Sequence, residues 1–532
     1  MTLNIADLYE AVADAIPDRV PVVCDDQRRS YAELDRRANR LAHHLESAGV
    51  QPGQHVAIHM RNRIEYVEAL LACMKIRAVS ININFRYTDS ELEYLYTNSD
   101  SVALIVENEY LEPAGAAVTK SPKIGHVMVV GEHEGFPTAR ADVTVVDYED
   151  ALGVQSDARG FAPRSGDDHF IIYTGGTTGM PKGVVWRQED FYYAALSGGN
   201  IGGAPRRSVD EVVAGAVANT DPQTYLVIPP LMHGGAVYSL LTALLMGAPR
   251  VFCRTFDPVD VLRLIEAEKI TGITVIGDAI ARPIAEAIKE HGEQYDLGTL
   301  KLMGSGGALF SPALKDELRA LVPGLTIKDA FGASETGNDG IIEFAEDGTK
   351  RIRFNPNLIL VDENSRPIAP GSDRIGFLAR KGHVPLAYYN DDEKTAATFT
   401  EVDGVRLAVL GDMGRVEEDG AIFLLGRGST CINSGGEKVY PEEVESAIKT
   451  HPAVIDALVA GAPDVRFGEK VAAVVQLRPG FDDVDPNEIA EHCRSRVAGY
   501  KIPRSVVLVS SIRRSPTGKA DYRWAKEVVS AG

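Results

Sequence analysis

At 532 residues the chain is too long for one ordinary core, so two or more domains are expected. Its 45% hydrophobic and 24% charged residues give the profile of a soluble globular protein, and a net charge of −20 disfavours nonspecific binding to nucleic acid or anionic lipid. Five cysteines with no CxxC pair fit reduced thiols rather than a disulfide framework.

The opening segment, MTLNIADLYEAVADAIPDRV, lacks a basic stretch and is not read as a signal peptide. No run of about 20 apolar residues follows, so no membrane insertion is expected, and the expected location is cytoplasmic. Short apolar runs that stop at Gly, Pro or Asp read as buried strands feeding loops. In chain order the first two are HFIIYTGG (169–176) and TYLVIPP (224–230). A helix is expected over 257–269, with Asp257 at its cap and apolar residues at helical spacing. Then come GITVIGD (272–278), LKLMGSGG (300–307), a helix over 311–321 with a Ser-Pro start, and LTIKDAFG (325–332). This alternation implies an α/β architecture with ligands at the strand C-termini. After GRGSTCINSGGEKVYP (426–441) the pattern changes to helix, two short β runs, helix and strand, a small α+β unit. The Gly/Ser/Thr stretch at its start is the natural linker.

The sharpest chemical signal is YTGGTTGMPKG, Tyr173 to Gly183. Glycines let backbone amides approach phosphates closely, Thr hydroxyls add donors and Lys182 adds charge. A plain turn explains Thr174, Thr177, Thr178 and Lys182 together poorly, and the spacing is not that of the usual P-loop. Other candidates are His233 in IPPLMHGG, the small residues of GSGGAL (304–309), DAFGASETG (329–337), LGDMGR (410–415) and a lysine on a Pro-Gly turn in RSPTGK (514–519). Taken singly, each has a bland reading: a hydrogen-bonded His, a strand end, a turn, a solvated charge.

Taken in order, these segments resemble the adenylate-forming superfamily, which includes acyl-CoA synthetases, luciferases and peptide-synthetase adenylation domains. The resemblance implies a large multi-sheet adenylation domain over 1–426, a hinge at 427–430 and a mobile small domain over 431–532. It implies that Thr174, Gly175, Gly176, Thr177, Thr178, Gly179 and Lys182 hold ATP phosphates, with Thr178 also catalytic. Gly175 stands where the family usually has Ser. By the same resemblance Gly306, Gly307 and Ala308 lie flat on adenine, Phe331 of the Phe331-Gly332 pair stacks on it, and Asp329 lies near its amino group. Ser334 contacts phosphate and Glu335 binds Mg²⁺, for which a carboxylate oxygen is the fitting ligand. Asp412 accepts hydrogen bonds from the ribose hydroxyls, and Arg427 reaches ribose or phosphate. His233 and Gly234 lie beside the acyl and pantetheine channel, Gly435, Gly436 and Glu437 line the pantetheine tunnel, and Lys519 serves the adenylation step. Ser429 and Thr430 replace the usual acidic hinge residues.

The implied reaction is formation of an acyl-adenylate from a carboxylic acid and ATP, then transfer of the acyl group to coenzyme A. The implied partners are the acid, ATP and coenzyme A, with a homodimer left open. Over its whole length the chain looks most like actinobacterial ligases acting on steroid side-chain carboxylates of the 3-oxocholest-4-en-26-oate type, with fatty acids or other polycyclic acids as the alternative. Gly234, Gly235, Ala236, Gly277 and Ala279 are small and are expected to leave room for a wide acyl pocket. Rival readings are a carrier-protein-loading enzyme, a luciferase-like oxygenase and a nucleotide sensor without catalysis.

Overall fold

The computed structural model describes residues 3–531, apart from 88, 175–179, 307–309, 345–349, 428–429, 431, 435–436, 465–467, 482, 498 and 515–519. Among the described residues the strands form four sheets. The largest changes character along its width. One half is parallel and runs Val22–Cys24, Arg250–Phe252, Tyr225–Val227, Gly272–Val275, Leu302–Ser305 and Thr326–Ala333. The other half is antiparallel and runs Gly337–Phe344, Lys350–Ile352, Ile422–Arg427, Val405–Val416, Gly376–Lys381 and Leu358–Val361. Thr326–Ala333 is the seam, parallel to Leu302–Ser305 on one side and antiparallel to Gly337–Phe344 on the other.

A second, wholly parallel sheet has the order Val79–Asn82, His55–His59, Ser101–Glu107, His126–Val130 and Thr144–Asp147. Its strands carry nearly continuous apolar runs, as parallel strands covered on both faces require. A third sheet is small and antiparallel: His169–Thr174 pairs with Lys182–Arg187, which pairs with Ala387–Tyr388. Beneath it the fully buried Trp186 packs edge-on against Phe191, whose ring stacks on Phe170 at 4.2 Å. The fourth sheet belongs to the C-terminal part of the chain. Val454–Asp464 and Gly468–Leu477 form a long hairpin, flanked by Ile432–Ser434, Glu437–Val439 and Ser505–Val509.

The helix starts follow the sequence. Asp257 accepts from the amides of Val259 and Asp260 and begins Pro258–Ala267, with Pro at the first helical position, where no amide is needed. Ser311 precedes Pro312–Leu321, yet its hydroxyl does not cap that helix; it donates to Asp278 Oδ2 at 2.7 Å. Two expectations need correction. Gly277 and Ala279, expected to border a wide pocket, lie in the first turn of the helix Gly277–His291, and Gly234, Gly235 and Ala236 open the helix Gly234–Met246. The two β runs read as short are strands of 11 and 10 residues. Among the described residues no helix is long and apolar enough to cross a membrane. Cys24, Cys73, Cys253 and Cys493 are buried free thiols, and burial pushes the Cys73 thiol up to about 12.

Candidate active site

The seam strand delivers the densest group of polar residues. At its C-terminal end Phe331, Gly332 and Ala333 line a cleft of about 80 Å³ together with Thr336, Asp339, Leu358, Leu378, Arg380, Leu410 and Asp412. Phe331 packs on the apolar cluster of Ile352, Leu358 and Leu378, so its ring is supported on one side while it borders the cleft. Asp412 reaches the same cleft from the central bend of Val405–Val416, opposite Arg427 in register. At the floor Asp339 and Arg380 form an ion pair of 2.6 Å with side chains only 2% and 3% exposed. Burial raises the Asp339 carboxyl to about 6 against the pull of Arg380.

The turn after the strand is held by the small three-stranded sheet. Trp186 donates its indole N–H to the Ser334 carbonyl at 3.0 Å, and Tyr388 donates its hydroxyl to Glu335 Oε1 at 2.7 Å. Thr336 Oγ1 accepts from the Ala333 amide at 3.0 Å. Gly337 closes the turn at φ +76°, a backbone conformation suited to glycine, and a Cβ there would lie 2.7 Å from the Ala194 backbone. Among the described residues Glu335 has no other hydrogen bond or ion pair. Among the described residues no group of three or more His, Cys, Asp or Glu forms a metal cage. One carboxylate with a spare oxygen is what a magnesium ion shared with substrate phosphates calls for, so Glu335 fits such an ion.

The structure places Thr174 opposite Lys182 at the mouth of the small sheet. The Lys182 ammonium is ion-paired with Asp391, and that hydrogen bond holds the Asp391 carboxyl below the usual range. Asn82 fastens this mouth to the next segment: it accepts from the Tyr173 amide at 2.7 Å and donates to the Tyr173 and Met232 carbonyls at 2.8 and 2.6 Å. His233 is half-buried at the N-cap of Gly234–Met246 without capping it through its side chain. Gly234 does not leave open volume, because a Cβ there would meet the Tyr238 ring at 3.1 Å, whereas Gly235 faces open space. Ala236 is fully buried. Gly306 faces Ala330 of the seam strand. Asp329 is ion-paired with Lys315, and burial still raises its carboxyl above the usual range.

Gly175, Gly176, Thr177, Thr178, Gly179, Gly307, Ala308, Gly435, Gly436 and Lys519 lie outside the described residues, and Arg427 and Glu437 are described by backbone alone. The sequence reading did not single out Tyr388, Asp391, Asn82, Trp186, Asp339 or Arg380. Tyr388 and Asp391 carry a weak signal in LAYYND (386–391), an aromatic run ending in a helix-capping Asp.

Residues 9–383 match the family described as AMP-binding enzyme, and residues 443–519 match the AMP-binding enzyme C-terminal domain. The chain is 46% identical to a 3-oxocholest-4-en-26-oate–CoA ligase of Rhodococcus rhodochrous, covering 99% of this chain and 96% of the relative. It is 44% identical to a medium/long-chain-fatty-acid–CoA/3-oxocholest-4-en-26-oate–CoA ligase of Mycobacterium tuberculosis, covering 100% of this chain and 97% of the relative. Among solved structures it is similar to ATP-bound MatB from Rhodopseudomonas palustris, with a TM-score of 0.81 and 25% identity over 99% of both chains.

Proposed function

The chain belongs to the AMP-binding enzyme family and is an acid–thiol ligase of it; from that premise we propose that it activates a steroid side-chain carboxylate as the acyl-adenylate and passes the acyl group to coenzyme A. The similarity to 3-oxocholest-4-en-26-oate–CoA ligases along the whole chain carries the substrate reading.

A carboxylate is a poor electrophile near neutral pH, and AMP supplies the leaving group it lacks. The acid's oxygen attacks the α-phosphorus of ATP in line, diphosphate departs, and the coenzyme A thiol then attacks the acyl carbonyl and displaces AMP. In our reading Phe331 stacks on adenine, Asp412 accepts from the ribose hydroxyls, and the amides of 175–179 with Thr174, Thr178, Lys182 and Ser334 hold phosphate oxygens. Asp329, two residues before Phe331 on the seam strand, serves the adenine amino group. Magnesium bound between Glu335 and the phosphates would supply charge neutralisation there. Residues 427–430 act as the hinge between a large domain over 1–426 and a small one over 431–532. Grouping Phe331, Ser334, Glu335 and Asp412 around the end of one seam strand supports these roles, because it puts an aromatic face, a hydroxyl and two carboxylates within one nucleotide's reach.

Gly234, Ala236 and Gly277 are packed into the starts of two helices and do not by themselves open a wide pocket. The substrate reading is tested by competition between a cholestenoate-type acid and palmitate in the presence of ATP and coenzyme A, with thioesters measured by mass spectrometry. A higher kcat/KM for the steroid acid is expected. Clear preference for palmitate would remove the steroid assignment and keep the ligase chemistry.

A further inference from the structure

The polar contact that reaches Glu335 comes from a residue with no assigned role, and it is held more firmly than a chance contact needs. Tyr388 is 5% exposed. Its backbone pairs with Val184 in the strand that follows the glycine-rich loop, and its neighbours lace the same strand: the Leu386 amide donates to the Val185 carbonyl and the Tyr389 amide to the Gly183 carbonyl, both at 2.7 Å. Its own amide donates to Thr395 Oγ1 at 2.9 Å, and its ring packs on Phe399 at 5.3 Å. The phenol therefore has one direction open to it, and there it donates to Glu335 Oε1.

A carboxylate oxygen that accepts from a fixed O–H donor keeps a lone pair but loses the freedom to turn, so the carboxylate presents its other oxygen more readily to a metal. This distinction matters chemically. Magnesium requires near-ideal octahedral geometry with single-oxygen ligands at about 2.1 Å, whereas calcium accepts two oxygens of one carboxylate at longer range. Resting on the reading of Glu335 as the metal ligand, we propose that Tyr388 is a positioning residue that restricts Glu335 to one-oxygen coordination and so sets the site's preference for small divalent ions over calcium. The hydroxyl belongs to the protein's permanent frame, so the restriction exists before nucleotide arrives and costs no reorganisation when it does.

The test uses the full chain with a non-hydrolysable ATP analogue. Bound Mn²⁺ is followed by electron paramagnetic resonance, and Mg²⁺ and Ca²⁺ are titrated as competitors. Tyr388→Phe should weaken Mg²⁺ competition by about tenfold, the low end of the roughly 10–100-fold cost of losing one outer-shell partner. The same variant should leave Ca²⁺ competition unchanged or strengthen it, so the Mg²⁺/Ca²⁺ ratio falls. A merely structural tyrosine would weaken both ions alike. Tyr388→Leu, which also lacks the hydroxyl, should move the ratio the same way. An unchanged ratio in Tyr388→Phe overturns the proposal, and so does loss of the fold in that variant, because a positioning role needs a scaffold that survives removal of one oxygen. Glu335→Gln in the same titration separates the two layers. If it leaves ion binding intact, the metal-ligand reading fails; if it weakens binding while Tyr388→Phe does not shift the ratio, only the role of Tyr388 falls.

Discussion

Lys182 is the cation proposed to meet phosphate at the glycine-rich segment, and in the structure its ammonium rests on Asp391. The side chains are 36% and 26% exposed, so the pair is worth only about 0.2–1 kcal/mol and yields readily to a polyphosphate. Binding of ATP must still replace this partner. Asp391→Asn should therefore tighten ATP binding by up to about fivefold, the affinity equivalent of about 1 kcal/mol. Asparagine caps helices as well as aspartate, so the helix Asp392–Thr398, whose Lys394 amide Asp391 receives, should keep its start. Equilibrium binding of an ATP analogue checks this, and equal or weaker affinity in the variant would refute the release step. Lys182, Glu335 and Asp412 could be proposed from the sequence because phosphate, metal and ribose each call for a particular functional group. Asp391 and Tyr388 could not, because their meaning depends on a chain crossing 209 and 53 residues away from their partners. No local pattern encodes that crossing.

At the scale of elements, strands ending in Gly or Asp were readable wherever burial on both faces forces an apolar run to stop abruptly. The sheet of residues 55–147 was not resolved in advance, because its strands feed no loop of distinctive chemistry. Sheet order was equally hidden: Val22–Cys24 lies beside Arg250–Phe252, which no periodicity signals. A consequence that only packing reveals is the contact between the strand Ile422–Arg427 and the helix Pro441–Lys449. Gly426 sits at φ +119°, and a Cβ there would collide with the Glu442 carboxylate. Gly426→Ala should therefore be strained on both counts and lower the melting temperature, and an unchanged melting temperature would show that the helix yields.

Glu442 Oε2 is buried without a hydrogen-bond partner. Burial, then repulsion from Glu445, raises its carboxyl from 4.5 to about 7, with Lys350 pulling the other way and Asp412 adding to the rise. The folded chain thus keeps a proton that the unfolded chain releases. The associated stability is fully present below pH 4.5, falls as pH rises towards 7, and is lost above it. Glu442→Gln, which cannot ionise, should be close to neutral at pH 4.5 and more stable than the parent by roughly 3 kcal/mol at pH 8. Denaturant unfolding at the two pH values measures the difference, and a pH-independent effect would rule out the titration of Glu442 as its source.

At the scale of the whole molecule, the long hairpin of the C-terminal sheet sets how far apart two proposed working segments must lie. Ser434 pairs with Gly468, and Gly468 faces Asp464, so the strand Ile432–Ser434 ends at the Asp464 end of the hairpin. Arg514 and Ala520 form a bridge at the other end, where Arg514 is anchored to Asp456 at 2.6 Å. Asp456 and Asp464 are eight residues apart on one strand, which at about 3.3 Å per residue is roughly 26 Å. On the proposal that Lys519 serves adenylation and Gly435, Gly436 and Glu437 the thioester step, two placements of a rigid body of that span are expected, one for each half-reaction. Lys519→Ala should then abolish formation of the acyl-adenylate, because the charge that Lys519 brings to the attacking carboxylate and the α-phosphate is gone. It should leave conversion of a supplied acyl-adenylate to the thioester near the parental rate, because that step uses the opposite end of the hairpin. Diphosphate release measured in the absence of coenzyme A reports the first step, and single-turnover thioester formation from synthetic adenylate reports the second. Equal loss of both would mean that Lys519 supports the fold or serves both placements, and the division of labour between the two ends would have to be abandoned.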